Sequence, residues 1–346
     1  MAWLKIVAVA TVAALAVGLA VLHRVSPGLL QVARDVEEIT VRAHLVDLRG
    51  AYLIEGMIAA ENLYLDPSSQ RVYATDLAGS IHLVDGPSWD ELSIVRSVRL
   101  GRSALGVDRG PDGNLYVCVS NVSLRKWRTM GGSVVRVDPD LQSWTQVTHR
   151  YPSINGLAFD GDGRAYFASS RFTPLCAQGG VYMMHAAPGG EITSPELHIA
   201  GLGMTNGLRL SSTDGWLYFT ETAVGVFAFA PGSSACVEVY HKARRIEGFD
   251  DVCVDDQSRV WMADPGRSTV KLYDVTTKRL VRFRIDGVGQ ISACALRRDN
   301  GRAILYLTEI HRSRSPLSGA RDGRGVFAIP VDELLGLLPA QAEGPR

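Results

Sequence analysis

Partly alternating runs of apolar and polar residues recur along this chain at a long, regular interval. Six of them open at Glu61 (ENLYLD), Leu105 (LGVDRG), Asn155 (NGLAFD), Asn206 (NGLRLS), Asp250 (DDVCVD) and Ser292 (SACALR), so that successive starts are 44, 50, 51, 44 and 42 residues apart. An interval of this length is that of one four-stranded propeller blade. Each opening run is followed by a turn and a second run: VYATD, LYVCV, AYFAS, LYFTE, VWMAD and LYLTE. Third runs come in the same register as IHLVD, SVVRVD, GVYMMH, GVFAFA, TVKLYD and GVFAIP, with the part-alternation of half-buried strands. Fourth, outer strands are predicted at SIVRSVRL, WTQVTHR, PELHIA, VEVYHK and RLVRFRI. The pattern predicts an all-β fold, a six-bladed β-propeller with four-stranded blades.

The sixth blade has no fourth strand downstream, because the chain turns after Ile329 to a helix-like DELLGLL and a polar tail. Glu38 to Leu48 (EITVRAHLVDL) alternates in part and precedes the first blade, so it is expected to pair into the last blade and cover its edge. Ahead of it, Ile6 to Leu22 is apolar except for Thr11 and Gly18, with Lys5 before it and His23 and Arg24 after. Its length suits a hydrophobic helix, either an uncleaved transmembrane anchor or a cleaved signal, with a buried helix as the bland alternative. The expected organisation is an anchor or signal at residues 1–24, a linker at 25–37, the propeller at 38–332 and a short helix and tail at 333–346. The propeller is then expected outside the cytoplasm, membrane-anchored, or secreted or periplasmic after cleavage.

Composition narrows the class further. The 346 residues carry 46% hydrophobic side chains, enough for a large core, and 35 glycines, which suit many tight turns between short strands. Formal net charge is zero and no long basic run exists, so nucleic acid is not an expected partner. The five cysteines show no CxxC spacing. Cys118, Cys253 and Cys294 fall in apolar runs and read as core; Cys176 and Cys236 are candidates for a disulfide.

Innermost strands of a propeller all start at one mouth of the central channel, so residues at one repeat position converge on the axis. Glu61, Asn155, Asn206 and Asp250 hold that position in four of the six repeats. Carboxylate and amide oxygens suit a hard divalent cation, and two carboxylates balance its charge. Asp66, Asp160 and Asp255 follow Glu61, Asn155 and Asp250 at a constant offset of five. Taken singly, Asn155-Gly156 and Asn206-Gly207 are also tight-turn dipeptides and Glu61 an ordinary solvated carboxylate; their common register is what favours a metal. All-oxygen ligation favours Ca²⁺, with Mg²⁺, Mn²⁺ or Zn²⁺ as further possibilities.

These motifs, above all TNGLRLS and GFDDVCVDDQSRVWMAD, make the chain resemble the senescence marker protein (regucalcin)/gluconolactonase family, within the superfamily of paraoxonases and strictosidine synthase-like proteins. The resemblance runs from about Glu38 to Val331. It implies a six-bladed propeller whose central divalent metal is held by a Glu, two Asn and an Asp, matching Glu61, Asn155, Asn206 and Asp250. Asp250-Asp251 and Glu61-Asn62 depart toward the paraoxonase pattern, which makes Asn62 and Asp251 second-rank ligand candidates.

A metal with open positions can polarise a lactone or ester carbonyl or activate water. Long loops between second and third strands, SNVSLRKWRTMGG, SSRFTPLCAQGG and TEIHRSRSPLSGARDGRG, are expected to build a collar over that mouth. Arg171, Glu221, Asp264 and Glu309 are the substrate-binding candidates, and Asp250 and His311 the candidates for proton transfer. Arg312, Arg314, Arg321 and Arg324 could meet an anionic substrate or lipid headgroups, or simply be solvated. No Gly-x-Ser-x-Gly elbow supports a serine nucleophile. The expected function is metal-dependent hydrolysis of a small-molecule lactone or ester; the alternatives are a non-catalytic binding propeller and a strictosidine synthase-like, non-hydrolytic enzyme.

Overall fold

The structure is a computed structural model that describes residues 44–46, 51–69, 71–123, 128–148, 151, 153–169, 172–173, 176–177, 179–185, 193–222, 224–242, 248–311 and 323–336. Six of its sheets are blades in ring order, each built outward from an inner strand. Blade one runs Ala60–Leu65, Val72–Asp76, Ser80–Asp85 and Ser93–Arg99; blade two Ser103–Arg109, Leu115–Ser123, Arg128–Val137 and Trp144–Gln146. Blade three comprises Leu157–Phe159, Arg164–Ser169, Gly179–His185 and Glu196–Leu202, and blade four Thr205–Leu210, Leu217–Glu221, Gly225–Phe229 and Val237–His241. Blade five is Val252–Val254, Arg259–Asp264, Thr269–Asp274 and Leu280–Ile285. Blade six takes Gln290–Asp299, Arg302–His311 and Gly325–Pro330, and a short helix, Val331–Gly336, follows it.

The core is divided among the six blade-to-blade interfaces. Trp261, Phe283 and Leu272 of blade five meet Leu305, Leu307 and Phe327 of blade six. Tyr306, Val326 and Ala328 of blade six meet Leu63, Ala74 and Val84 of blade one. Equivalent clusters join blades one and two, two and three, three and four, and four and five. The middle strands contribute to two interfaces because successive side chains face opposite sides of the sheet, which is why they read as nearly continuous apolar runs.

The ring is closed by a different segment from the one expected. Tyr52–Glu55 pairs antiparallel with Gly325–Pro330 as the outer strand of blade six. Of the expected Glu38–Leu48, the described part, His44–Val46, runs parallel to Leu280–Ile285 and adds a fifth strand to blade five. Two features explain the shift. Ile54 is a buried member of the interface between blades six and one, and the Tyr52 hydroxyl donates to the Leu92 carbonyl of blade one at 2.8 Å. A closing strand must also end close to the start of blade one, and only Gly56 to Ala59 separate Glu55 from Ala60.

The hydrophobic segment Ile6–Leu22, the 25–37 linker and the chain beyond Gly336 lie outside the described residues. No helix among the described residues is long and apolar enough to cross a membrane. Cys118, Cys253 and Cys294 are buried free thiols. Cys236 is also free, which removes it from the disulfide considered above; the Cys176 side chain lies outside the described residues.

Candidate metal centre at the channel mouth

The inner strands do not run straight into the channel. In blades one, two, four and six the ladder to the second strand shifts register just where Glu61, Leu105, Asn206 and Ser292 stand. In blades three and five the same irregularity falls immediately before the strand: Asn155 N–H donates to the Ala168 carbonyl while Ala168 N–H donates to Gly156, and Asp250, Ala263 and Asp251 repeat the arrangement. Such bulges re-aim side chains. Here they occur at the repeat positions, of which Leu105 packs between blades two and three while the polar ones, Glu61, Asn155, Asn206, Asp250 and Ser292, meet one another.

The glycines after the two asparagines serve packing between blades. Gly156 N–H donates to the Asn206 carbonyl at 3.0 Å, and Gly207 N–H to the Asp250 carbonyl at 2.6 Å. A Cβ on Gly156 would run into Leu208 N and the Asn206 carbonyl, and one on Gly207 into the Asp251 side chain. The dipeptides therefore mark close approach of neighbouring inner strands, where a hairpin turn was the simpler reading.

At the mouth the four predicted ligands come together. The Ser292 hydroxyl lies 2.6 Å from Asp250 Oδ2 and 3.0 Å from Glu61 Oε2, so it bridges carboxylates of blades five and one. Asn155 Nδ2 donates to Asn206 Oδ1, and Asn206 Nδ2 donates to Thr222 Oγ1 at 3.3 Å. Burial pushes the Asp250 carboxyl up to about 7, and the charge of Asp251 adds to the rise, while hydrogen bonds from Ser292 and Asn206 oppose it. The set fits a hard divalent cation: two carboxylates and two amide oxygens from four blades, including an acid short of compensating positive charge. Among the described residues no group of three His, Cys, Asp or Glu side chains is arranged to hold a metal ion.

The second-rank candidates, Asn62 and Asp251, are occupied otherwise. Arg209 Nη2 donates to Asn62 Oδ1 at 2.6 Å and to Asp251 Oδ2 at 2.7 Å. Asp108 joins this deeper layer: burial pushes its carboxyl up to about 6, against backbone N–H donors from Phe159 and Arg109 and the charge of Arg209. Arg209 and Asp108 each lie three residues past a repeat position, Asn206 and Leu105, and that regularity of polar residues on inner strands was their sequence signal. Ser292 stood at the repeat position but was not read as a site residue.

The substrate-binding candidates divide differently. Glu221 and Asp264 end the second strands of their blades, Glu309 stands two residues before the end of its own, and all three are buried. Glu221 takes the backbone N–H groups of Gly203 and Met204, at 2.9 and 2.7 Å. Asp264 takes Gly248 N–H and pairs with Lys271 at 2.6 Å; Glu309 takes Gly289 N–H and a two-pronged contact from Arg324. All three anchor the loop leading into their own inner strand. Asp76 does the same in blade one through Ile58 N–H. The Asp residues at the constant offset are turn anchors too: Asp160 binds Arg164 and Tyr166, and Asp255 binds Arg259 and Trp261.

His311 is buried at the last position of its strand, opposite Gln290. Arg171, Arg312, Arg314 and Arg321 lie outside the described residues. Of the expected collar, blade two carries a hairpin arm paired as far as Ser123 and Arg128, and blade three a small ribbon of Phe172–Thr173 with Cys176–Ala177.

Fold and site together define a six-bladed propeller with an oxygen-donor cluster at the mouth of its channel. The chain belongs to the SMP-30/gluconolactonase/LRE-like family, whose model matches residues 59–311. No curated protein matches the chain. Among solved structures it is similar to a calcium-binding regucalcin from Agrobacterium tumefaciens, with TM-score 0.62 and 16% identity over 83% of this chain and 95% of that one. A gluconolactonase from Xanthomonas campestris gives TM-score 0.57 and 19% identity over 81% and 88%. A PQQ-bound aldose sugar dehydrogenase from Streptomyces coelicolor gives 0.59 and 16% over 81% and 96%, so the shared architecture carries more than one chemistry.

Proposed function

We propose that this protein is a metal-dependent hydrolase of small-molecule lactones or esters. The reading rests on the convergence of Glu61, Asn155, Asn206 and Asp250 on the channel mouth, bridged by Ser292. These four would hold one divalent cation, with Ca²⁺ the best match to the donor set. Such a cation supplies carbonyl polarisation and a lowered pKa for water.

The chain's own residues do the rest. Ser292 and Thr222 fix the orientations of Asp250, Glu61 and Asn206, so the donor geometry is set before substrate arrives. Asp250, a mouth carboxyl in contact with Ser292, would take a proton from the attacking water. His311 remains the second candidate for proton transfer and would act from the last position of its strand. The Ile6–Leu22 segment would anchor the chain in a membrane, with the propeller outside the cytoplasm.

Proton release from a panel of lactones and aryl esters, followed after chelation and after return of Ca²⁺, Mn²⁺ or Zn²⁺, tests the reading. Turnover that chelation abolishes, one metal restores and Asn206→Ala removes is the expected result. A folded chain that binds metal and turns over none of the panel would favour a binding propeller.

A further inference from the structure

Beneath the mouth, one step further along the inner strands, the channel holds a second polar layer. Arg209 starts from blade four and reaches Asn62 on blade one, the blade directly across a six-membered ring. The same Nη2 atom meets Asp251 of blade five. The guanidinium thus spans the channel axis, and its side chain is only 15% exposed.

The two oxygens it meets are already engaged by hydrogen bonds in this arrangement. Asn62 Oδ1 accepts from Arg209 and, at 2.9 Å, from Leu63 N–H, which uses both lone pairs of an amide oxygen. Asp251 Oδ2 accepts from Arg209 at 2.7 Å and faces Asn62 Nδ2 at 3.5 Å. Charge leads to the same result. Mouth and lower layer together contain four carboxylates, Glu61, Asp250, Asp251 and Asp108, a complement that two divalent ions would neutralise. Arg209 is permanently charged and removes one unit of that demand, so that one divalent ion leaves the channel nearly balanced.

We propose that the Arg209 guanidinium is a built-in cation that fills the lower channel layer and limits the protein to one exchangeable divalent ion, at the mouth. The inference rests on the mouth site proposed above. It also gives Arg209 a positioning role: by holding Asp251 it fixes the residue next to Asp250, and through Asn62 the residue next to Glu61.

The test is a metal count on the full chain, chelated and then equilibrated with calcium, together with melting of the chelated protein. Wild type is expected to take up one calcium per chain. Arg209→Gln is expected to take up two, the second disappearing in the Arg209→Gln/Asp251→Asn double variant. Chelated Arg209→Gln should melt below chelated wild type, and calcium should close the gap. Two calcium ions in wild type, or one in Arg209→Gln with unchanged chelated melting, would overturn the proposal. Should Arg209→Gln fail to fold with and without calcium, Arg209→Lys decides: it keeps the charge and must still bind one ion, and two would overturn the proposal. A wild-type chain that binds no calcium would count against the mouth site instead, and the comparison of chelated melting would still judge Arg209.

Discussion

The Ser292 hydroxyl of blade six lies 2.6 Å from Asp250 Oδ2 of blade five. The same oxygen is 3.0 Å from Glu61 Oε2 of blade one, yet a hydroxyl has one proton to give. Two ionised carboxylates cannot both accept it. Either Asp250 is protonated and donates to Ser292, in keeping with its raised pKa, or a cation draws the carboxylates together. Ser292→Ala should therefore weaken calcium binding by about 10–100-fold, the usual effect of removing a hydrogen bond that orients a ligand. A calorimetric titration that gives wild-type affinity would remove Ser292 from the site.

Asp250 and Asp108 both have raised pKa values, to about 7 and about 6, and both shifts originate first in burial. An acid whose folded pKa lies above its unfolded value binds more protons in the native state between the two, so stability falls as pH rises through that window. The chelated protein should thus lose melting temperature from about pH 4 to about pH 7, and Asp108→Asn should flatten the part of the slope below about pH 6. Calcium, which favours ionised Asp250, should flatten the remainder. A chelated protein whose melting temperature rises steadily across that range would contradict both assignments.

Asp264 and Lys271 face each other at 2.6 Å with neither side chain exposed, and Lys271 Nζ sits 4.5 Å from the centre of the Phe249 ring, next to Asp250. Breaking a buried pair from one side leaves an uncompensated charge and costs about 3–5 kcal/mol. Lys271→Met should lower stability by that amount in urea unfolding, and adding Asp264→Asn should recover part of it. An Asp264→Asn variant with full stability and altered substrate preference would return Asp264 to the substrate site.

Blade number, strand order and the four mouth residues were legible in the sequence because each depends on a short local pattern repeated at one interval. TNGLRLS and DDVCVD carried both the inner-strand pattern and the bulge residues that aim Asn206 and Asp250 at the axis. The roles of Glu221, Asp264 and Glu309 were not legible. A carboxylate at or near the end of a second strand looks the same in sequence whether it faces a ligand or the amides of its own loop; only the loop path decides. Arg209 escaped for a related reason: its partners, Asn62 and Asp251, lie 147 and 42 residues away, and no local pattern encodes a contact across the channel.

The closing strand was misplaced on the same ground, since pairing between the two ends of a chain is not a local property, and it makes a direct prediction. Tyr52–Glu55 covers the edge of Gly325–Pro330, while His44–Val46 only extends blade five outward. A chain starting at Gly50 lacks the second contact and keeps the first; a chain starting at Met57 lacks both and exposes the last blade's edge, with buried Ile54 also gone. Both truncations remove the hydrophobic segment, so they differ only in closure. The form starting at Gly50 should elute as one species and melt cooperatively, and the form starting at Met57 should melt lower and self-associate. Equal melting temperatures and elution volumes for the two would mean that the ring does not depend on Tyr52–Glu55 for its closure.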